Sequence, residues 1–557
     1  MRAAIFGFLM MATGVQAASL QLCPQTERAE GSAAIELVRP DGTRMRLLAG
    51  AGPVPGCSRV ELPVPEDAIA AIHALSPSAA QALGERILLQ GPERDGKFNI
   101  GSVTGTGGSG GPAAPDRAQP MPMLENLLHA LKPRVFGVEE RVQVRLEGGR
   151  LHLQCGAGSR PAGVLLAAPW YLPLARMELK LQADASGRFE VSMADAARAA
   201  KENALGLGTI GAGRQRTTAF ALPREGFDRA GWRSFSIACP PHAAELLLED
   251  LRLAPHASRP APRSAWVWDA KAWAAQPEAV LSQAAEKGVR TLFVSVPVSG
   301  DAVEEPQALA AFVRRAHAAG VAVWSVDGDP HMVLPGEHAK TVARVRAYAA
   351  YNAGVEPGAR LGGMQFDIEH YLLPGYELSA SELDRHYTGL ARKLRRAAQG
   401  MPLEFVVPFW WAGKAELMKG LAASASAVNV MNYRTDPEQI RRFAVPFLDW
   451  GTVHGKKVRI ALEAGPVDVE QQRRYARAQE GELWLVRVEQ TPVLVLLKEA
   501  RRNPLGPAFR LESQSVFDGS ATSFHRDPSR LVKLLPELES VFAAWPAFSG
   551  IALHELK

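Results

Sequence analysis

The sequence predicts a multidomain α/β plus β protein: a C-terminal (β/α)8 TIM barrel, a β-sandwich ahead of it and a small α+β domain at the N-terminus. Three observations carry this. From residue 264 short apolar strands alternate with amphipathic Ala/Arg/Glu-rich stretches, as βα units do. Residues 121–255 hold short runs of alternating polarity between Gly, Pro and Asp turns, the mark of an all-β sandwich. Two low-complexity breaks, at 103–120 and 255–264, separate the blocks. The 557 residues are 47% hydrophobic and 22% charged, which excludes wholesale disorder. A net charge of +5 is too dilute to argue for a nucleic-acid or anionic-membrane partner.

Residues 1–17 place one positive charge, Arg2, before an apolar stretch from Ala3 to about Ala12 and a Val15-x-Ala17 ending. That is the layout of a signal peptide cleaved near Ala17, and the run is too short to span a bilayer. The expected address is therefore secreted or periplasmic, with no integral membrane segment after cleavage. An even count of cysteines in an exported chain favours two disulfides. Cys23, Cys57, Cys155 and Cys239 allow three pairings, and sequence neighbours suggest Cys23–Cys57 and Cys155–Cys239. No CxxC or Cys/His cluster points to a metal.

Residues 18–102 mix strand-like segments with an Ala-rich helical pattern near 66–84. Residues 103–120 read as a Gly/Pro-rich linker. In the sandwich, a module of the kind that binds carbohydrate beside secreted catalytic domains, Trp170-Tyr171 reads either as a stacking platform or as a core pair. Gly206–Gly211 satisfies G-x-G-x-x-G on paper. It lacks the strand, helix and acid of a dinucleotide site and predicts none.

The barrel's eight candidate strands are 265–269, 291–297, 322–327, 363–369, 404–411, 427–433, 458–463 and 550–556, with a doubly wound sheet as the competing arrangement. Strand-like segments between the seventh and eighth read as an insertion. Side chains alternate along a strand. In the fourth strand Met364, Phe366 and Ile368 then face the helices, while Gln365, Asp367 and Glu369 face inward, with Glu369 at the C-terminal rim where barrel active sites sit. The same parity puts Asp327, Asn429, Met431, Tyr433, Glu463 and His554 in the interior or on the rim. Several acids on one rim imply either an acid–base site or an ion network with arginines such as Arg434 or Arg459. Two carboxylates at i and i+2 crowd each other and raise the pKa of one, which suits a general acid. Nine of the eleven tryptophans lie in this half, and Trp410-Trp411 ends the fifth strand where an indole can stack on a pyranose.

LGGMQFDIEHY (361–371), VNVMNYRTD (428–436) and FSGIALHELK (548–557) resemble the fourth, sixth and last strand motifs of the family-18 glycoside hydrolases, the chitinases and endo-β-N-acetylglucosaminidases. The resemblance covers residues 264–557. It implies Glu369 as the general acid, Asp367 as the stabiliser of a substrate-derived oxazolinium and Tyr433 as the hydroxyl that positions the N-acetyl group. Gly362 and Gln365 stand where that family has acids, and His554 where it has an aromatic. A second route pairs Glu369 with Glu463 across the rim as acid and nucleophile. Either route needs no metal and no cofactor. The sequence therefore predicts an exported glycoside hydrolase acting on an amino-sugar-containing polysaccharide or glycan, with Gln365, Asn429, Met431, Asp327, His554, Trp410 and Trp411 as substrate-binding candidates. The competing readings are a catalytically silent, glycan-binding barrel and a purely structural one.

Overall fold

The computed structural model describes residues 17–24, 33–38, 44–51, 58–75, 83–94, 97–98, 100, 102–105, 119–195, 204–222, 233–256, 261–373, 376–467, 469–489 and 491–554. The chain divides into two compact units, one of residues 110–368, 388–466 and 520–557, the other of 1–109, 369–387 and 467–519. Residues 1–16 of the expected signal peptide, 1–17, lie outside the described residues. No described helix is long and apolar enough to cross a membrane.

The first unit contains a closed ring of eight parallel strands. These are β1 (Arg263–Val267), β2 (Val289–Ser295), β3 (Ala322–Asp327), β4 (Met364–Phe366), β5 (Leu403–Pro408), β6 (Ala427–Met431), β7 (Lys457–Glu463) and β8 (Phe548–His554). Every expected strand is present, and pairing of Ser264 with Ala552 closes the ring in place of an open doubly wound sheet. Helices occupy the connections: α1 (Ala270–Ala275), α2 (Pro277–Glu286), α3 (Pro306–Ala318), α4 (His338–Gly354), α5 (Tyr376–Ala397), α6 (Ala415–Ala422), α7 (Pro437–His454) and α8 (Pro528–Phe542). All of β5 and β6 is buried. That explains their mostly apolar sequence, since a parallel strand covered on both faces has no solvent side to show, and Glu404 and Asn429 are the polar residues turned inward.

The fourth strand is shorter than its sequence pattern suggests. Pairing stops at Phe366, the Asp367 N–H donates to the Asp327 carbonyl at 2.9 Å, and Glu369 begins a 3-10 turn over His370–Leu372. Strand parity therefore governs Gln365 and not Glu369.

Inside the ring, Gln365 of β4 accepts from the Trp266 Nε1–H of β1 at 2.5 Å and donates to Glu404 of β5 at 2.8 Å. β1 and β4 lie three strands apart, so the first bond spans the interior. Arg459 of β7 brings its guanidinium 3.6 Å from the fully buried Glu404 carboxylate. The barrel centre is thus a dry polar layer in which each group depends on a partner from another strand.

The sandwich shares this unit. One five-stranded antiparallel sheet orders its strands 132–137, 162–167, 233–238, 189–195 and 205–210, the other 142–147, 150–155, 244–255, 177–185 and 213–221. The Gly206–Gly211 stretch begins within the edge strand Leu205–Ile210, which pairs with Phe189–Asp195, and holds no phosphate loop. The Cys155–Cys239 disulfide ties strand Arg150–Cys155 of one sheet to the end of strand Arg233–Ala238 of the other. Asp449 of α7 docks the sandwich to the barrel, accepting from the Leu174 N–H and the Trp545 Nε1–H, each at 2.7 Å.

The second unit corrects the expected division of the chain. The N-terminal block is not a self-contained α+β domain, and the insertion between β7 and β8 is not part of the barrel. Together they build one sheet, in the order 69–74, 491–502, 480–488, 508–517, 470–478, 86–94 and 97–98. Within the Ala-rich pattern near 66–84 the described residues open with a 3-10 turn, Glu66–Ala68, and a strand, Ile69–Ala74, where a helix was expected, and 76–82 lie outside the described residues. Backbone pairing with Val493–Leu497 outweighs a helix propensity worth a few tenths of a kcal/mol per residue. Val493, Val495 and Leu497 pack with Leu20, Leu62 and Val64, while Leu494 and Leu496 pack with Leu75, Leu83, Ile87 and Leu89 on the other face. The expected linker also loses its first residues to structure: 103–105 belong to strand Ser102–Gly105, which pairs with Ile87–Gln90. Residues 106–118 and Cys57 lie outside the described residues, and with Cys57 the Cys23–Cys57 bridge.

Candidate active site

The C-terminal ends of the barrel strands gather acids, aromatics and one histidine. β7 ends at Glu463 and β8 at His554, and these two are paired in register. The Glu463 Oε2 lies 2.6 Å from His554 Nδ1, and its Oε1 accepts from the Gly465 N–H. Trp268, just past β1, donates its Nε1–H to His554 Nε2 at 3.3 Å. Because Nε2 accepts, the proton of the neutral ring sits on Nδ1 and is donated to Glu463. The carboxylate is thereby held by two donors. Tyr433, two residues past β6, brings its ring 6.0 Å from the imidazole, and Trp266 stands 5.6 Å away on the same ring.

On the other side, Asp327 closes β3. The Arg344 guanidinium of α4 donates to its Oδ2. Burial pushes the Asp327 carboxyl upward, and the charge and hydrogen bond of Arg344 pull against that rise. Asp367 lies beside it, half-buried. A Cβ at Gly328 would stand 2.5 Å from the Asp367 carbonyl oxygen, so only glycine lets the β3 and β4 ends approach this closely. A side chain at Gly362 would meet the Trp324 indole at 2.7 Å, which accounts for the missing acid there: the ring occupies its space.

Past β5, Phe409 stacks on Phe443 at 4.5 Å and Arg434 sits over the Phe409 ring at 4.5 Å. Trp410 meets the edge of Phe409 at 5.3 Å and is 48% exposed.

In the other unit, Glu369 is half-buried and its Oε2 accepts from the Tyr371 hydroxyl. The next residue, His370, is fully buried and bonds Asp384 through Nε2 at 2.8 Å.

Several expected ligand-binding residues are sealed. Trp411 is 0% exposed, so the expected indole pair is a single face, Trp410. Gln365 and Asn429 are inside the closed ring, and Met431 is buried at its edge. All four are corrections: the 3-10 turn past β5 seals Trp411, and for the other three parity distinguishes inside from outside, but in a narrow barrel the lower inside layers are core. Arg459 serves Glu404 and not the rim acids. Sequence reading overlooked Arg344, on a helix whose period says nothing about a strand end, and gave no site role to Trp268, which lies within the expected strand 265–269 but just past the observed end of β1.

Among the described residues no group of three or more His, Cys, Asp or Glu is placed to hold a metal. No family model matches the chain, and no curated protein matches it. Among solved structures, a family 29 carbohydrate-binding module matches at 12% identity over 22% of this chain and 74% of its own, with a TM-score of 0.18. Modules of an endo-1,4-beta-D-xylanase of Clostridium thermocellum, solved with xylohexaose, match at 9% identity over 63% of this chain and 83% of theirs, with a TM-score of 0.27. Likeness at these scores carries no argument about this protein, and its function has to be read from the site.

Proposed function

We propose that the protein is an exported glycoside hydrolase of the (β/α)8 type acting on an amino-sugar-containing glycan, with the sandwich as an accompanying carbohydrate-binding module. The observation that carries this is the Glu463 carboxylate, fixed between the His554 imidazole and the Gly465 amide at the C-terminal end of β7. Hydrolysis of a glycosidic bond needs a carboxylate aimed at the anomeric carbon and a separate proton donor for the leaving oxygen. Glu463 suits the first role. Its two donors fix its direction.

The acid role belongs to Glu369 by sequence alone, with Asp367 beside it in the chain as the second carboxylate of the resemblance. Tyr433 offers a hydroxyl near the same imidazole for an N-acetyl group. Trp410 offers the flat apolar face on which a pyranose ring stacks. The leader and the disulfide fit an oxidising compartment outside the cytosol.

Turnover of N-acetylglucosamine oligomers and polymers, followed as new reducing ends, tests the reading. Glu463→Gln and Glu369→Gln each lower kcat by about 100-fold or more, the usual worth of a positioned acid–base or nucleophilic carboxylate. Equal turnover by wild type and Glu463→Gln sinks the assignment. Trp410→Ala raises KM about five- to tenfold with kcat nearly unchanged, because stacking serves ground and transition states alike. A second reading, a glycan-binding barrel without turnover, draws on the prior engagement of Asp327 by Arg344 and of Glu463 by His554. Saturable oligosaccharide binding with no reducing ends formed identifies it.

A further inference from the structure

Between α4 and the C-terminal turn of α5 lies a solvent-open groove of about 720 Å³. Its lining includes His338, Arg346, Lys393 and Arg396 and contains no acidic residue and no Phe, Tyr or Trp. His338 is 6% exposed and its Nε2–H donates to the Val333 carbonyl at 2.9 Å. Its Nδ1 therefore accepts, and the partner is the Lys393 ammonium at 2.8 Å. A buried neutral imidazole thus holds one cation against the groove wall without cancelling its charge. Among the described residues neither Arg346, Lys393 nor Arg396 forms an ion pair with a carboxylate. Other exposed arginines of this unit do find one, as Arg314 does with Glu356 and Arg315 with Glu278.

We propose that this groove is a binding site for an acidic glycan segment, a run of saccharide units bearing carboxylate or sulfate groups. Three cations left unneutralised around one concavity raise the local concentration of a polyanion, and guanidinium groups match planar or tetrahedral oxyanions in a fork. The volume lies in the range of sites that take a ligand of several rings. With no aromatic wall, a nucleobase or a neutral sugar has nothing to stack on, and the open side lets a polymer continue past both ends. The saccharide half of this assignment rests on the hydrolase reading above, whereas the anionic half does not.

Titration calorimetry on the full chain, with a sulfated hexasaccharide, its unsulfated counterpart and pyrophosphate as probes, tests the site. The sulfated hexasaccharide binds, weakens steeply between 50 and 200 mM NaCl, and loses about tenfold in affinity in Arg346→Gln/Arg396→Gln. The unsulfated probe shows no such site. Circular dichroism melting confirms that the variant is folded, and Lys393→Met is a second, single-site check. Equal affinity of wild type and both variants, absence of binding, or pyrophosphate binding as tightly as the hexasaccharide overturns the proposal, the last by making this a phosphate site. Glu463→Gln separates the two readings. Hexasaccharide binding by a chain that hydrolyses no glycan leaves the groove standing without the hydrolase, and turnover without hexasaccharide binding does the reverse.

Discussion

Arg459→Met destabilises the barrel unit by about 3–5 kcal/mol at neutral pH, the scale expected when one partner of a buried pair is removed. The cause is what remains behind. Glu404 is wholly buried, and burial already pushes its carboxyl above the usual range, with the Arg459 charge the largest opposing influence and the Gln365 hydrogen bond the next. Without the guanidinium, Glu404 must either stay charged in the dry interior or take up a proton. Glu404→Gln in the same chain removes the stranded charge, so the double variant recovers at least half of the loss.

The pH dependence has a defined sign. A carboxyl whose pKa is higher folded than unfolded favours the folded chain below its unfolded value, near 4.5, and that advantage disappears as pH rises through the folded pKa. Removing Arg459 raises the folded value further, so the deficit of Arg459→Met is small near pH 4 and grows towards pH 8. Urea unfolding of the single and double variants at both pH values measures it. A deficit independent of pH, or no recovery in the double variant, refutes this account of the barrel centre.

Loss of the disulfide ranks beside it. The Cys155–Cys239 bridge closes a loop spanning 84 residues and joins the two sheets of the sandwich. Freeing that loop in the unfolded chain costs about 4–5 kcal/mol on the chain-entropy account. Cys155→Ala/Cys239→Ala therefore melts the sandwich roughly 10–20 °C lower and opens residues 121–255 to proteolysis. Replacing both cysteines avoids a stray thiol, and wild type under reducing conditions shows the same shift. If the melting temperature moves by less than about 2 °C, the two sheets hold together by their core alone.

The place of Glu463 at the end of β7 was legible from parity, because a rim residue closes an alternating pattern. Glu369 shows where that reasoning stops: it lies three residues past the end of β4, where the backbone has left the strand conformation, and parity has nothing more to say. Trp410 and Trp411 are adjacent and chemically identical, yet one is half exposed and the other sealed. Composition does not separate them, and the 3-10 turn over Phe409–Gly413 does.

The strands of the barrel and the all-β character of the sandwich follow from local pattern, since periodicity is written within a few residues, and the Cys155–Cys239 partnership follows from the order of the cysteines along the chain. The pairing of Ile69–Ala74 with Thr491–Arg502, and the use of Arg459 to balance Glu404 instead of a rim acid, belong to the assembled molecule. An apolar run records that it will be covered but not by what. When the partner lies some four hundred residues away, or across the inside of a closed ring, the choice is made by packing density and by charges that must be matched once water is gone.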